Sequence, residues 1–77
     1  MDFEKLQAII ADKLNISADK IKPESRFEED LSADSLDLLN VVMEVEEEFG
    51  ISISDEKLME IKTVEDALEA INKVINE

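Results

Sequence analysis

Apolar residues return at helical spacing through the first fourteen positions, where Phe3, Leu6, Ile9, Ile10 and Leu14 share one side of a 3.6-residue repeat. Asp2 is placed to cap that segment and Glu4 to favour its positive end, so a helix is expected over residues 2–14. Asn15-Ile16-Ser17 breaks the pattern. From Ile16 to Ala33 the periodicity is lost, and Ile21, Phe27 and Leu31 stand as isolated apolar pegs. Pro23 disfavours helix at Lys22, and Pro23-Glu24-Ser25 reads as a turn. So long a connection inside a compact domain is unusual and tends to carry function.

The helical period is strongest over residues 34–49, with Leu38, Val41, Val42, Val45 and Phe49 on one stripe. Asp34 is a good N-cap, Asp37 brings a second carboxylate to the positive end, and Gly50 suits a left-handed stop. Ile51 to Ser54 alternates apolar and polar but is too short to build a sheet alone. Residues 55–61 make about two helical turns behind a Ser54 cap. Thr63-Val64-Glu65-Asp66 resembles a capping box with Asp in place of Glu or Gln, and opens a last helix with Val64, Ala67, Leu68, Ile71 and Ile75 on its buried stripe. The expected fold is all-α: a four-helix bundle of three longer helices and one short third helix, with a long loop between the first and second. Residues 1–77 form a single domain in this reading.

Composition sharpens the picture. Eight basic residues against twenty-one acidic ones leave a net charge of −13, which repels nucleic acid and anionic lipid and steers toward basic partners. Neither nucleic-acid binding nor stable membrane insertion is therefore expected, and like-charged surfaces predict a soluble monomer. The start Met1-Asp2-Phe3-Glu4 lacks a basic targeting region, which points to a cytoplasmic protein. An apolar fraction of 44% is too high for a chain kept disordered by charge.

The same composition argues against an enzyme. There is no histidine and no cysteine, which removes the commonest general base, the commonest metal ligand and the thiolate nucleophile. A single glycine, Gly50, supports no phosphate loop, and no window supplies a calcium-binding loop, so no metal site is expected. Chemistry concentrates instead in Glu29-Asp30-Leu31-Ser32-Ala33-Asp34-Ser35-Leu36-Asp37. Ser35 reads either as an ordinary first-turn serine or as an attachment point, since a phosphate ester at a helix N-terminus gains from free N–H groups and partial positive charge. Asp34 and Asp37 oppose that gain. Spacing alone leaves both readings open.

Asp34-Ser35-Leu36-Asp37, preceded by Leu31-Ser32-Ala33 and followed by Glu46-Glu47-Glu48-Phe49-Gly50-Ile51, resembles the acyl carrier proteins of dissociated fatty acid synthesis. The likeness extends over the whole chain in size, acidity, long first loop, short third helix and the Thr63-Val64 start of the last helix. It implies covalent 4′-phosphopantetheine, transferred from coenzyme A to Ser35 by a phosphopantetheinyl transferase, with Asp34 and Leu36 as flanking residues of the attachment motif. Acyl intermediates would ride on that arm as thioesters between the enzymes of fatty acid synthesis. The missing cysteine then fits, because the reactive sulfur belongs to the cofactor.

The resemblance also implies a shelter and an address. Val41, Val42, Val45, Phe49, Ile53, Leu58, Ile61, Ala67, Leu68 and Ile71 are the candidate walls for an acyl chain, though each is first of all a core residue. Leu36, Asp37, Met43, Glu44, Glu47 and Glu48 are the candidate contacts for partner enzymes that present basic patches, through fast, weak, salt-sensitive encounters. Three features depart from the family's usual pattern. Ser32 stands where many members have glycine, Asn40 where fatty-acid carriers often have Glu, and Leu38-Leu39 makes the helix start more apolar. These departures admit a specialised carrier for polyketide, modified-lipid or aminoacyl transfer, and an unmodified acidic helical adaptor is a further alternative.

Overall fold

The computed structural model describes residues 1–76 and contains four α-helices among them: α1 (Phe3–Leu14), α2 (Ser35–Phe49), α3 (Asp55–Glu60) and α4 (Val64–Ile75). Each helix begins one residue beyond an extended residue whose side chain accepts from its first turn. Asp2 accepts from the Lys5 N–H, Asp34 from Asp37, Ser54 from Lys57 and Thr63 from Asp66. The expected caps at Asp2 and Asp34 thus lie just outside the helices they start.

The first two helices end alike, on a residue in the left-handed region. Asn15 has φ 55° and Gly50 φ 64°, and in each case the next N–H also bonds back, Ile16 to the Ala11 carbonyl and Ile51 to the Glu46 carbonyl. Asparagine is among the few side chains that tolerate this conformation.

The helices close around Leu6, Ile10, Val41, Val45, Val64 and Ile71, all fully buried. The α2 stripe is buried at Val41, Val42 and Val45, whereas Leu38 is only half-buried and Phe49 is 37% exposed. Phe49 thus departs from its expected place in the core. It is the last residue of α2, directly before the left-handed Gly50 that ends the helix. On α4, Val64, Ala67 and Ile71 are buried, while Leu68 and Ile75 pack from the margin.

The long first loop is ordered by burial and by backbone pairing. Ile21, Phe27, Leu31 and Ala33 are buried, so the three expected pegs do enter the core. The Gln7 amide donates to the carbonyls of Ala18 and Ile21, tying a 3₁₀ turn over Ala18–Lys20 to α1. Further along, the loop runs antiparallel to the start of α4. Phe27 donates to the Lys62 carbonyl, Val64 to Ser25 and Glu65 to Pro23, around an isolated bridge between Arg26 and Thr63. Arg26 then knots the loop's second half. Its guanidinium forks onto Asp30 at 3.1 and 3.2 Å, and its carbonyl accepts from Asp30 and Leu31. Among the described residues no helix is long and apolar enough to cross a membrane.

Candidate functional site

Ser35 is the first residue of α2, and two carboxylates fix the backbone around it. The Asp37 N–H donates to Asp34 Oδ1 at 3.0 Å, and the Asp34 N–H donates to Asp37 Oδ2 at 3.2 Å. This reciprocal box turns both acidic groups onto the helix's own backbone. Leu38 donates to the Asp34 carbonyl, so Ser35 and Leu36 keep the N–H groups of the first turn that have no acceptor among the described residues. The Ser35 side chain is exposed beside them. An oxyanion esterified there meets free donors and the helix's partial positive charge.

The approach to that turn is strained. Ser32, three residues before Ser35, has φ 54°, in the left-handed region that favours glycine. It lies exposed between buried Leu31 and Ala33. The Arg26 knot holds the preceding segment. Arg26 keeps the Asp30 carboxyl below the usual carboxylate range, chiefly through its side-chain hydrogen bond.

Ser35 borders a groove of about 670 Å³ between the Arg26–Asp34 segment, the first turn of α2 and the α3–α4 junction. Its floor is apolar, with Phe27, Ala33, Leu38, Leu58 and Ile61, and its rim carries Arg26, Glu28, Glu29, Asp34 and Lys62. Of the ten candidate shelter residues, Leu58 and Ile61 line this groove. Val41, Val42, Val45, Ile53, Ala67 and Ile71 are packed in the closed core behind, Leu68 lies half-buried at its margin, and Phe49 is 37% exposed at the end of α2.

The candidate partner contacts divide by position around α2. Leu36, Met43 and Glu47 recur at intervals of seven and four and share its outermost line. Leu36 is 64% and Met43 53% exposed, and Glu47 is exposed beside them. Glu44 and Glu48 lie toward α1 and are ion-paired with it, Glu44 to Lys13 at 3.4 Å and Glu48 to Lys5 at 2.5 Å. Asp37 serves the capping box. On the opposite flank, Glu46 accepts from the Ile53 N–H at 2.7 Å, so this carboxylate anchors the chain after α2. The six residues grouped by sequence are therefore three open and three engaged.

Four groove residues carry no site role in the sequence pattern: Phe27 reads there only as a peg and Thr63 as a cap, and Ala33 and Met59 have no distinct part. Met59, on short α3, is 81% exposed and still borders the groove. Its signal was present: Leu58 and Ile61 occupy the inner side of that segment, and Met59 falls off their line.

Comparison with known proteins bears on the family and the fold. Residues 4–71 match the family described as "Phosphopantetheine attachment site". The chain is 49% identical over 73 residues to the acyl carrier protein of Thermosynechococcus vestitus, covering 95% of this chain and 90% of that one. It is 50% identical over 66 residues to the acyl carrier protein of Helicobacter hepaticus, covering 86% and 87%. Its fold resembles the crystal structure of acyl carrier protein from Thermotoga maritima, with a TM-score of 0.83 and 30% identity over 95% of this chain and 85% of that one. The acyl carrier protein of Enterococcus faecalis, described for its high thermal stability, aligns with a TM-score of 0.75 and 36% identity over 94% and 91%.

Proposed function

The chain belongs to the acyl carrier proteins, and from that premise we propose that it carries acyl intermediates of fatty acid synthesis on an arm attached at Ser35. Proteins of this family are carriers and not enzymes, and their cofactor is covalently bound 4′-phosphopantetheine. That group supplies a terminal thiol on which the acyl chain is held as a thioester. The residues of this chain fit it: an exposed hydroxyl at the first position of α2, two free N–H donors beside it, and an apolar groove alongside.

The observation that carries the assignment is the placement of Ser35. The Asp34–Asp37 box holds the turn while leaving its outer donors open, so a phosphodiester on Ser35 would find N–H donors from Ser35 and Leu36. Asp34 acts as a positioning residue for Ser35, and Leu36, mostly exposed, offers an apolar contact to the transferase that must reach the hydroxyl. Leu36, Met43 and Glu47 form the open line that receives partner enzymes with basic patches, the phosphopantetheinyl transferase first among them. An acidic docking face of this kind favours fast, weak and salt-sensitive exchange between successive enzymes. Phe27, Leu38, Leu58 and Ile61 offer the acyl chain its first apolar surface on the way to the core. The setting proposed for this cycle is the cytoplasm.

The test is intact mass after incubation with coenzyme A, magnesium and a broad-specificity phosphopantetheinyl transferase. Wild type should gain one phosphopantetheine-sized increment and Ser35→Ala none. A folded, unmodified wild type that gains no mass, or a Ser35→Ala variant that still does, refutes the assignment.

A further inference from the structure

The two ion pairs between α1 and α2 place cations of this chain on carboxylates that a basic partner would use. Glu44 and Glu48 are one helical turn apart on α2 and each meets a lysine of α1, Lys13 and Lys5. All four side chains are about one-third to one-half exposed, so a partner's lysine or arginine can reach the same oxygens from solvent. Glu48 raises the Lys5 ammonium above its ordinary value through hydrogen bond and charge, as expected of an engaged pair. Glu47, between Glu44 and Glu48 in sequence but turned to the outer line, has no such pair among the described residues.

We propose that Lys5 and Lys13 are resident competitors of the partner's cations, holding Glu48 and Glu44 in an autoinhibitory contact that limits how tightly any basic docking face binds α2. The inference rests on the reading of α2 as the partner-binding helix. A partner first meets Leu36, Met43 and Glu47, which are open. To add Glu44 and Glu48 it must share or displace the α1 lysines, so the gain at those residues is reduced by what the internal pairs already contribute. Exposed pairs are individually weak, which makes the contact easy to exchange. A carrier that must leave each enzyme after one transfer benefits from that limit.

The experiment measures the dissociation constant of the unmodified chain for a phosphopantetheinyl transferase by calorimetric titration at fixed ionic strength. Lys5→Met/Lys13→Met is compared with Lys20→Met/Lys73→Met, a pair that makes no ion pair with α2 and changes net charge equally. Removing the competitors should tighten binding on the order of fivefold more than the control change does. Lys5→Arg/Lys13→Arg keeps both pairs and should stay at wild-type affinity, and the melting curve of each variant verifies the fold. Glu47→Lys separates the two levels of the reasoning. If Glu47→Lys weakens binding but the Lys5/Lys13 variant matches its control, the competition is refuted and the docking helix stands. If Glu47→Lys leaves binding unchanged, the docking reading fails and the inference falls with it.

Discussion

Ser32 offers a direct measure of the strain stored beside the attachment site. Its φ of 54° places a side-chain-bearing residue in the left-handed region, at a cost of about 1–2 kcal/mol. The residue is exposed and its side chain makes no hydrogen bond among the described residues, so substitution there removes little packing. Ser32→Gly relieves the strain but gives the unfolded chain more freedom, which returns about 0.5–1 kcal/mol. The net expectation is a gain of about 0.5–1 kcal/mol. For a domain this small that raises the melting temperature by roughly 2–8 °C, since about 1 kcal/mol corresponds to about 4–8 °C. Ser32→Ala keeps the Cβ and should stay within about 0.5 kcal/mol of wild type, as exposed substitutions generally do. Ser32→Val puts a β-branched side chain where it is a steric outlier, and should lose at least about 1 kcal/mol. Thermal unfolding followed by circular dichroism ranks the series Gly, then Ser and Ala together, then Val. A glycine variant no more stable than wild type, or a valine variant equal to alanine, refutes the strain argument.

Two further outcomes follow from the same region. Asp34→Ala removes the side-chain acceptor of the α2 capping box and should destabilise by about 1 kcal/mol, whereas Asp34→Ser, which restores an N-cap oxygen, should recover most of the loss in the same unfolding measurement. Asp30 titrates below its usual value of 3.8 because Arg26 stabilises the carboxylate, so its contribution is present above that value and lost as pH falls through the lower, folded-state one. The melting-temperature gap between wild type and Asp30→Asn should therefore be present near neutrality and close in acid. A gap that stays constant down to the acid limit removes the charged pair from the account.

Local chemistry explains why so much of this chain was legible before its structure. Caps act over three or four residues, so Asp2, Asp34, Ser54 and Thr63 mark helix starts wherever the rest of the molecule lies. The buried stripes of α2 and α4 follow from helical spacing in the same way, and weaken at half-buried Leu38, Leu68 and Ile75 and most at Phe49, the last residue of α2. Ser35 was legible as a first-turn serine for the same reason, and the flanking residues then pointed to its family.

The order of the long loop has a different origin. Its pairing with residues 62–65 joins positions some forty residues apart, and no local period encodes that register. The groove between loop, α2 and α3 likewise needs the loop placed against distant elements, with Phe27, Leu31 and Ala33 buried in the shared core. The acidic face of α2 shows the same division. Sequence by itself determined that carboxylates crowd this helix, since composition and spacing are local. Only the tertiary structure decided which of them are open, because Lys5 and Lys13 reach Glu48 and Glu44 only once α1 packs across α2.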